Sequence, residues 1–282
     1  MAVLTGIELI HKIKGKQLTA PSFDVVGGNY DILHAVCRKL ADYQAVAFLA
    51  STPSSIKSYF GFSHFVKSIR EISSEYNVSV AIHLDHAMDI NDIDVALAAG
   101  CSSVMFDGSR LPLQKNIELT NEAAALARKT GASVEAELGV IGGKEDEVIA
   151  EIAKFPSLED ACFFCENTQV DLFAPAIGTA HGFYKGEPDI QWELIREIKE
   201  NCNKPIVLHG ATGLDDAILT RLLNIGFSKV NFATGVRSAF LTGIKGCLLN
   251  EDPQLKPQEY LKQGRQYVED YIKKILDLVM IR

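Results

Sequence analysis

The sequence predicts an α/β fold, a TIM (β/α)8 barrel with an extra C-terminal helix. Three observations lead to this prediction: eight short apolar runs alternate with helical patterns, no linker rich in Pro, Gly or Ser separates them, and polar residues cluster at one end of the runs. The alternative is an open, doubly wound sheet, which would spread those polar residues along an edge. In a barrel, the carboxyl ends of the parallel strands meet on one face and would form one site.

The predicted strands are almost wholly apolar, as expected for parallel strands that are buried on both faces. They cover residues 20–26, 45–50, 78–83, 102–106, 133–138, 172–176, 205–208 and 229–232. The predicted helices follow them with helical apolar periodicity. They cover residues 30–43, 63–76, 114–129, 157–167, 190–201, 215–224, 234–249 and 260–281, with a further helix that has Asp89 as its N-cap. Residues 139–147 contain two successive glycines and are predicted as a loop.

Composition and charge narrow the class of protein. The 282 residues are 47% hydrophobic and 23% charged, which is typical of a globular protein. Because α/β barrels of this size form one unit, we predict a single domain over residues 1–282. The net charge is −8 and no block of Lys and Arg occurs, so neither nucleic acid nor a membrane surface is an expected partner.

Targeting signals and disulfides are not indicated. The N-terminus lacks the charged-then-apolar order of a signal peptide, and no apolar run reaches the roughly 18 residues of a membrane span. Six cysteines are scattered along the chain, and the C-x-x-C pair Cys162 and Cys165 lies in a helical pattern. We interpret this pair as buried and structural rather than redox-active. A soluble, cytoplasmic protein is the resulting prediction.

Histidines at predicted strand ends indicate a metal site. His86, His181 and His209 follow the third, sixth and seventh strands, and the fold would bring them to one rim. Three imidazoles with an open fourth position are the ligand set of catalytic zinc, which can polarise a carbonyl. His83 is expected to support the site, and Asp85 either transfers a proton or orients a ligand. His11, His34 and His64 are expected at the surface.

Two loops near these histidines are candidate phosphate sites. Residues 210–213 follow the seventh strand and open a helix, and residues 231–234 do the same after the eighth. Barrel enzymes commonly bind phosphate at these loops through the N–H groups of helix N-termini. Gly182 could add another backbone donor. Each loop alone could be an ordinary turn, but both together beside the histidines favour phosphate binding.

Taken together, these motifs resemble those of a known family, the class II, metal-dependent ketose-bisphosphate aldolases. The resemblance extends along nearly the whole chain and is strongest to the tagatose-bisphosphate branch. The matching stretches are HLDH at 83–86, SVMFDGS at 103–109, VEAELGVIGGKED at 134–146, AIGTAHG at 176–182, VLHGATG at 207–213 and KVNFAT at 229–234.

The resemblance implies roles for particular residues. His86, His181 and His209 would hold Zn²⁺, Asp85 would be the proton donor to the aldehyde oxygen, and Glu145 would be the base of a mobile loop. From the residues alone, Glu145 would be interpreted as a solvated loop charge. The implied contacts to dihydroxyacetone phosphate are Gly182, Gly210, Ala211, Thr212, Asn231, Phe232, Ala233 and Thr234. The resemblance also implies that Asp107, Ser109 and Glu137 line the site, allows for a monovalent cation near the phosphate, and suggests a homodimer or homotetramer.

Some residues depart from the family pattern. Thr212 replaces a serine, the first-strand motif is altered at residues 23–27, and Ala233 matches tagatose-type rather than fructose-type enzymes. Gln258 stands where the family has an arginine that reaches the distal phosphate, and an amide cannot make a bidentate charged contact. Either Lys256 or Arg265 compensates, or the aldehyde product lacks the second phosphate.

The resulting hypothesis is reversible aldol cleavage of a ketose 1,6-bisphosphate, with the tagatose sugar favoured. A fructose-bisphosphate aldolase and an aldolase for a ketose 1-phosphate remain alternatives. A Schiff-base aldolase is disfavoured because Lys204 and Lys229 lie at strand starts, on the wrong face of a barrel. Two alternatives come from other classes of protein. A zinc hydrolase could use the same histidines to activate water. A non-catalytic binding protein would not need Asp85 and Glu145.

Overall fold

The computed structural model describes residues 2–145, 148–150, 153–184, 186–249 and 256–281, with backbone alone for 144, 145 and 148–150. The strands are β1 Ala20–Asp24, β2 Ala47–Ser51, β3 Val80–Ala87, β4 Ser103–Phe106, β5 Ser133–Leu138, β6 Gly142–Glu145, β7 Val148–Ala150, β8 Leu172–Pro175, β9 Ala180–His181, β10 Val207–Leu208 and β11 Lys229–Phe232. The helices are α1 Gly6–Lys12, α2 Tyr30–Tyr43, α3 Pro53–Tyr59, α4 Phe62–Glu75, α5 Ile90–Ala99, α6 Leu113–Thr130, α7 Leu158–Asn167, α8 Trp192–Asn201, α9 Asp216–Ile225, α10 Thr234–Leu249 and α11 Pro257–Val279.

Eight parallel strands form the barrel, in the order β10-β11-β1-β2-β3-β4-β5-β8. A further parallel bridge between Phe173 of β8 and Ile206, next to β10, joins the two ends of this sheet. The spatial order follows the chain order around the barrel, as βα units require. The predicted TIM barrel is confirmed, and the open-sheet alternative is wrong because the edge strands meet.

A short N-terminal helix covers the amino-terminal end of the barrel. Its start is fixed by a capping box in which Thr5 and Glu8 exchange side-chain and backbone hydrogen bonds. Leu9 is completely buried, and it belongs with Phe48, Leu172 and Val207 to a cluster inside the barrel. This apolar cluster fills the lower interior, so that polar side chains are concentrated above it.

The extra C-terminal helix is present as α11, which starts at Pro257 and packs against α2 and α10. Proline is favoured in the first helical turn because its missing N–H would have no partner there. Glu269 of α11 lies 3.5 Å from Arg38 and 3.6 Å from Lys39 of α2. The helix therefore ties the end of the chain to the beginning of the barrel.

Two local predictions were wrong, and one short helix was not predicted. The third strand continues to Ala87, beyond its predicted end at residue 83, because its polar residues face the barrel interior rather than a loop. The predicted loop over residues 139–147 contains β6, which pairs with β7 in an antiparallel hairpin. A short helix, α3, follows β2 with Thr52 as its N-cap.

The cysteines are all free thiols, as the structural interpretation requires. Cys162 and Cys202 have sulfur atoms 3.7 Å apart, and burial raises the pKa of Cys165 to about 11. With this pKa the Cys165 thiol is a poor nucleophile at neutral pH. Among the described residues, no helix has the length and hydropathy of a membrane span.

Leu9→Ala tests the role of the helix that covers the barrel floor. Removing this completely buried side chain leaves a cavity, and we expect the free energy of unfolding to fall by about 2–5 kcal/mol. Urea denaturation followed by circular dichroism measures the change. Leu241→Ala, at a side chain that is 63% exposed, should change stability by less than about 0.5 kcal/mol. Equal losses in the two variants would contradict the assignment.

Candidate metal centre and active site

The end of β3 is irregular, and this irregularity brings consecutive side chains into one site. His83 and Asp85 face the barrel interior, as alternation along a strand requires. Strict alternation would turn His86 outwards, but the register with β4 shifts between Leu84 and Ala87, and His86 has a φ of 48°. A bulge of this kind redirects a side chain, at a cost in backbone strain. As a result His86 reaches the same face as Asp85.

Three imidazoles converge at the carboxyl end of the barrel. His86 is near the end of β3, His181 ends β9 and His209 follows β10, and their candidate ligand atoms all lie within 4.8 Å of one another. His86 Nε2 and His209 Nδ1 are 2.9 Å apart. A tetrahedral zinc ion with bonds of about 2.0–2.1 Å would place two such nitrogens about 3.3 Å apart. The spacing fits a single metal ion bound by all three rings.

Hydrogen bonds on the far side of the rings determine which nitrogens face each other. His86 Nδ1 is 3.0 Å from Asp107 Oδ2, and His209 Nε2 is 2.8 Å from Glu135 Oε1. Ionised carboxylates only accept hydrogen bonds, so these nitrogens carry the protons and the facing nitrogens carry lone pairs. Two lone pairs directed at each other repel unless a cation lies between them. With a third imidazole converging on the same point, a metal ion fits this position better than a proton.

Burial and neighbouring charges set the ionisation of these groups. Burial lowers the pKa of His209, which favours the neutral ring that binds metals. Burial opposes the ionisation of Glu135, but the charge of Lys229 and the hydrogen bond from His209 lower its pKa to about 2. The pKa of Asp107 is lowered in the same way, because its hydrogen bonds with His86 and Ser109 outweigh its burial. At neutral pH the site therefore contains the ionised carboxylates of Glu135 and Asp107 beside the neutral ring of His209.

Asp85 is the carboxylate next to the three converging imidazoles and is only 5% exposed. The side-chain amide of Asn231 lies 3.2 Å from each of its oxygens, and His83 Nε2 lies 3.4 Å from one of them. Burial acts against its charge, yet the interaction with His86 and the charge of Lys229 hold its pKa well below the usual value. Asp85 can therefore accept a proton at neutral pH.

Two clefts meet at the histidines. The smaller cleft is lined by Asp85, His181, Gly182, His209, Gly210, Thr212, Asn231, Ala233, Thr234 and Arg237. The larger cleft has a volume of about 370 Å³ and shares His181 with the smaller one. It is also lined by His86, Asp107, Ser109 and Glu137, and by Lys57, which pairs with Asp92 at 2.6 Å.

Most of the residues predicted to contact substrate are thus brought together, with two exceptions. The ring of Phe232 stacks on Phe23 with centroids 6.0 Å apart, so its side chain belongs to the core. Ala211 is 2% exposed and lies outside the lining of the smaller cleft. Any contact from Phe232 would have to come from its backbone.

The hairpin that carries Glu145 is joined to β9, the strand of His181. Gly142 and Gly143 of β6 pair with Ala180 and His181 of β9 in parallel register. Gly143 has a φ of 97°, and a Cβ there would overlap the backbone of His181, so glycine is required by both conformation and space. Glu145 ends β6, and its side chain lies outside the described part of the chain.

Tyr184 links β9 to the loop after β10, and these two segments carry His181 and His209. Its hydroxyl oxygen accepts a hydrogen bond from the Ala180 N–H at 2.9 Å, and its O–H donates to the Gly210 carbonyl at 2.7 Å. Burial raises the pKa of this phenol to about 12, so it remains a neutral donor and acceptor. These two hydrogen bonds of Tyr184 fix the separation between β9 and the loop that contains His209.

Sequence reasoning missed Tyr184, Glu135 and Lys229, although alternation along the strands could have indicated the last two. Glu135 alternates with Glu137, and Lys229 alternates with Asn231, so both pairs had to face the same side of their strands. The placement of Lys229 on the wrong face was an error: it lies at a strand start, but its long side chain is completely buried inside the barrel.

His11, His34 and His64 all lie in helices, and the expectation that they are at the surface is met in full by His11 alone. His34 and His64 are half-buried, and His34 Nδ1 lies 3.2 Å from the Tyr76 hydroxyl. None of these three belongs to a candidate metal-binding group among the described residues.

Comparisons with known proteins agree with this geometry. A family model described as "Fructose-bisphosphate aldolase class-II" matches residues 5–281. The D-tagatose-1,6-bisphosphate aldolase subunit GatY of Klebsiella oxytoca is 32% identical over 278 residues, which are 98% of this chain and 97% of that protein. The crystal structure of the YdjI aldolase from Escherichia coli K12 matches with a TM-score of 0.81 and 25% identity, over 97% of this chain and 94% of that one.

A third match concerns the fold alone. The structure of a putative fructose-1,6-biphosphate aldolase from Coccidioides immitis has a TM-score of 0.84 at 24% identity, and the match covers 97% of this chain and 95% of that one.

The chain belongs to the class II fructose-bisphosphate aldolase family. It is an aldolase, a carbon–carbon lyase, and the enzyme class expected from its motifs is confirmed. Class II aldolases depend on a metal ion, and the group of His86, His181 and His209 could hold one. Neither the hydrolase nor the binding-protein alternative agrees with this family.

Metal content tests the assignment of the ligands. We expect His86→Ala, His181→Ala and His209→Ala each to reduce the bound divalent metal well below one ion per chain, because each removes one of three ligands. Inductively coupled plasma mass spectrometry of the purified proteins measures this. His34→Ala removes a half-buried histidine outside the site and should leave the metal content unchanged. Full metal content in any of the three ligand variants would refute the assignment.

Tyr184→Phe tests the link between β9 and the loop after β10. Loss of both hydrogen bonds should make local opening easier by about 1–2 kcal/mol, which corresponds to roughly five- to thirtyfold faster amide exchange at Ala180. Hydrogen–deuterium exchange of this amide is the measurement. Tyr43→Phe is the control, because that hydroxyl bonds to Asp277 at 2.6 Å between two helices. An unchanged exchange rate at Ala180 would show that the link is dispensable.

Proposed function

We propose that this protein is a zinc-dependent aldolase that reversibly cleaves a ketose 1,6-bisphosphate, preferably tagatose 1,6-bisphosphate. The products are dihydroxyacetone phosphate and glyceraldehyde 3-phosphate. The observation that carries the proposal is the position of the three converging imidazoles between two clefts, with the ionised Asp85 beside them. One cleft can take the dihydroxyacetone phosphate half of the sugar and the other the aldehyde half.

His86, His181 and His209 are the residues that would hold zinc. When bound, the metal supplies Lewis-acid stabilisation of the negative charge that develops on the substrate oxygens during cleavage. The neutral state of His209 and the two carboxylates behind the rings support this assignment, since carboxylate–histidine pairs orient metal ligands in many zinc sites.

Asp85 is the proposed proton-transfer group. In the cleavage direction its carboxylate takes the proton of the C4 hydroxyl as the C3–C4 bond breaks, and in the synthesis direction it returns that proton to the aldehyde oxygen. Its amide partner Asn231 holds both carboxylate oxygens from the far side. The carbonyl oxygen of Asn231 is buried without a hydrogen-bond partner among the described residues, so it could accept one from a substrate hydroxyl.

The smaller cleft is the proposed phosphate site. It contains Gly182, Gly210 and Thr212, and α10 begins at its edge with Thr234. Backbone N–H groups at a helix N-terminus bind phosphate through hydrogen bonds and the helix dipole. A monovalent cation near this phosphate is part of the proposal.

Glu145 is the proposed group that exchanges a proton with the carbon at the cleavage point. Its strand pairs with the strand of His181, which supports a position near the metal. We further propose that residues 1–282 form one catalytic domain, that the enzyme acts in the cytoplasm, and that it is a homodimer or homotetramer. The relative from Klebsiella oxytoca is itself named a subunit.

The tagatose substrate is favoured by Ala233 at the edge of the phosphate cleft and by the name of that relative. The residues expected near the distal phosphate of the sugar depart from the family pattern. Gln258 is exposed in the first turn of α11, and Arg265, one candidate substitute for the family arginine, already lies 3.5 Å from Asp31. Fructose 1,6-bisphosphate and a ketose 1-phosphate are therefore the alternative substrates.

A cleavage assay with the zinc-loaded enzyme tests the proposal. The panel is tagatose 1,6-bisphosphate, fructose 1,6-bisphosphate and the two corresponding 1-phosphates, with dihydroxyacetone phosphate detected by NADH-coupled reduction. We expect the highest kcat/KM for tagatose 1,6-bisphosphate, and loss of activity after chelation. Release of inorganic phosphate alone would indicate a hydrolase, and no product from any sugar would overturn the proposal.

Asp85→Asn separates proton transfer from metal binding. Because the amide keeps the shape of the carboxylate but cannot accept the proton, kcat should fall by about 10²–10⁴-fold. The zinc content should stay at the wild-type level. Loss of zinc in this variant would instead make Asp85 a structural support of the metal site.

A further inference from the structure

A layer of charged side chains lies inside the barrel directly below the metal-binding rings. Glu135, Lys229 and His83 come from β5, β11 and β3, and all three are completely buried. Lys229 Nζ is 2.8 Å from Glu135 Oε2 and 3.1 Å from His83 Nε2. The interior layers of a TIM barrel are usually filled by branched aliphatic side chains, so an ionic layer is a costly exception.

The groups around Lys229 all favour an ammonium at this position. Its ammonium lies 5.2 Å from the ring centroid of Phe48, and that ring packs edge-on against His83. His83 Nδ1 lies 2.8 Å from the Ser103 hydroxyl, so its proton can be donated there and Nε2 is left to accept from the ammonium. The ammonium is thus enclosed by an anion, an acceptor nitrogen and an aromatic face.

The two oxygens of Glu135 have different partners. Oε2 accepts from Lys229, and Oε1 accepts from His209 Nε2 at 2.8 Å. The lysine therefore fixes the rotation of the carboxylate, and the carboxylate fixes the tautomer and the ring orientation of His209. Among the described side chains no lysine pairs with Asp107, which orients His86, but Asp107 is 16% exposed whereas Glu135 is inaccessible. A carboxylate so deeply buried needs its own cation.

We infer that Lys229 and Glu135 are positioning residues for the metal, acting together through His209. This inference depends on the proposed role of His209 as a metal ligand, but not on which sugar is cleaved. Asp85, Glu135 and His83 also form a group that could hold a cation, and the ammonium of Lys229 already contacts two of the three. Lys229 is consequently a built-in cation in the layer below the metal, and it has no part in a Schiff base.

Cobalt binding tests this inference without the aldolase reaction. Lys229→Met and Glu135→Gln should each bind Co²⁺ about 10–100-fold more weakly than the wild-type protein, because loss of such supporting partners has this effect on metal affinity. The visible absorption bands of bound Co²⁺ should also shift, since the geometry of His209 changes. Titration of the metal-free protein gives both readouts, and circular dichroism verifies folding.

Two further variants separate positioning from a general effect on stability. Glu135→Gln with Lys229→Met removes both charges, so it should fold better than Lys229→Met but still bind Co²⁺ weakly. Lys204→Met removes another lysine that precedes a strand and bonds to the Val170 carbonyl at 2.8 Å, and it should keep wild-type affinity and bands. If the double variant binds Co²⁺ with wild-type affinity and spectrum, the pair is only structural and the inference is wrong.

The wild-type protein offers a measurement that needs no folded variant of the pair. In the zinc-loaded, ¹⁵N-histidine-labelled protein, His209 should be the tautomer with its proton on Nε2, with the signal assigned by its loss in His209→Ala. A proton on Nδ1 would overturn the inference. If tautomer and cobalt affinity behave as expected while no sugar phosphate is cleaved, the positioning role stands and the proposed function fails.

Discussion

The rest of the site depends on two imidazole nitrogens that direct lone pairs at each other. His86 Nε2 and His209 Nδ1 are 2.9 Å apart, and the carboxylates of Asp107 and Glu135 hold the ring protons on the opposite sides. This arrangement is repulsive by itself, so the surrounding fold must impose it. The bulge at the end of β3 and the hydrogen bonds of Tyr184 each constrain one or more of the elements that carry the rings.

Imposing this arrangement has a cost in the barrel interior. Glu135 and Lys229 replace aliphatic side chains in a region from which water is excluded, and a buried ion pair recovers its desolvation energy only with good geometry. The compensation lies at two other levels of the fold. Below the ionic layer, α1 contributes Leu9 to the apolar cluster inside the barrel. Outside the strands, the helices bury most of the hydrophobic side chains. Stability and chemistry thus occupy different depths of one barrel.

Much of the architecture was predictable because parallel strands buried on both faces have a distinctive apolar pattern, and because polar residues at their carboxyl ends must meet. The same reasoning placed His86, His181 and His209 on one rim. It could not predict the inward turn of His86, since alternation alone directs it outwards and a bulge leaves no pattern in one sequence. Lys229 was misplaced because its position at a strand start was given more weight than its alternation with Asn231, which indicates an inward-facing side chain. The hairpin β6–β7 was missed because two glycines resemble a loop.

The pairing of Gly143 with His181 has a mechanical consequence for the proposed cycle. The base of the β6–β7 hairpin and β9, which carries His181, are joined by backbone hydrogen bonds, with no side chain between them. Any displacement of the hairpin that keeps these bonds must pivot beyond Gly143, so that the distal part can change position while the imidazole stays in place. A larger displacement would move the ring as well. In the proposed enzyme, the same few backbone bonds would therefore link the position of the hairpin to that of a metal ligand.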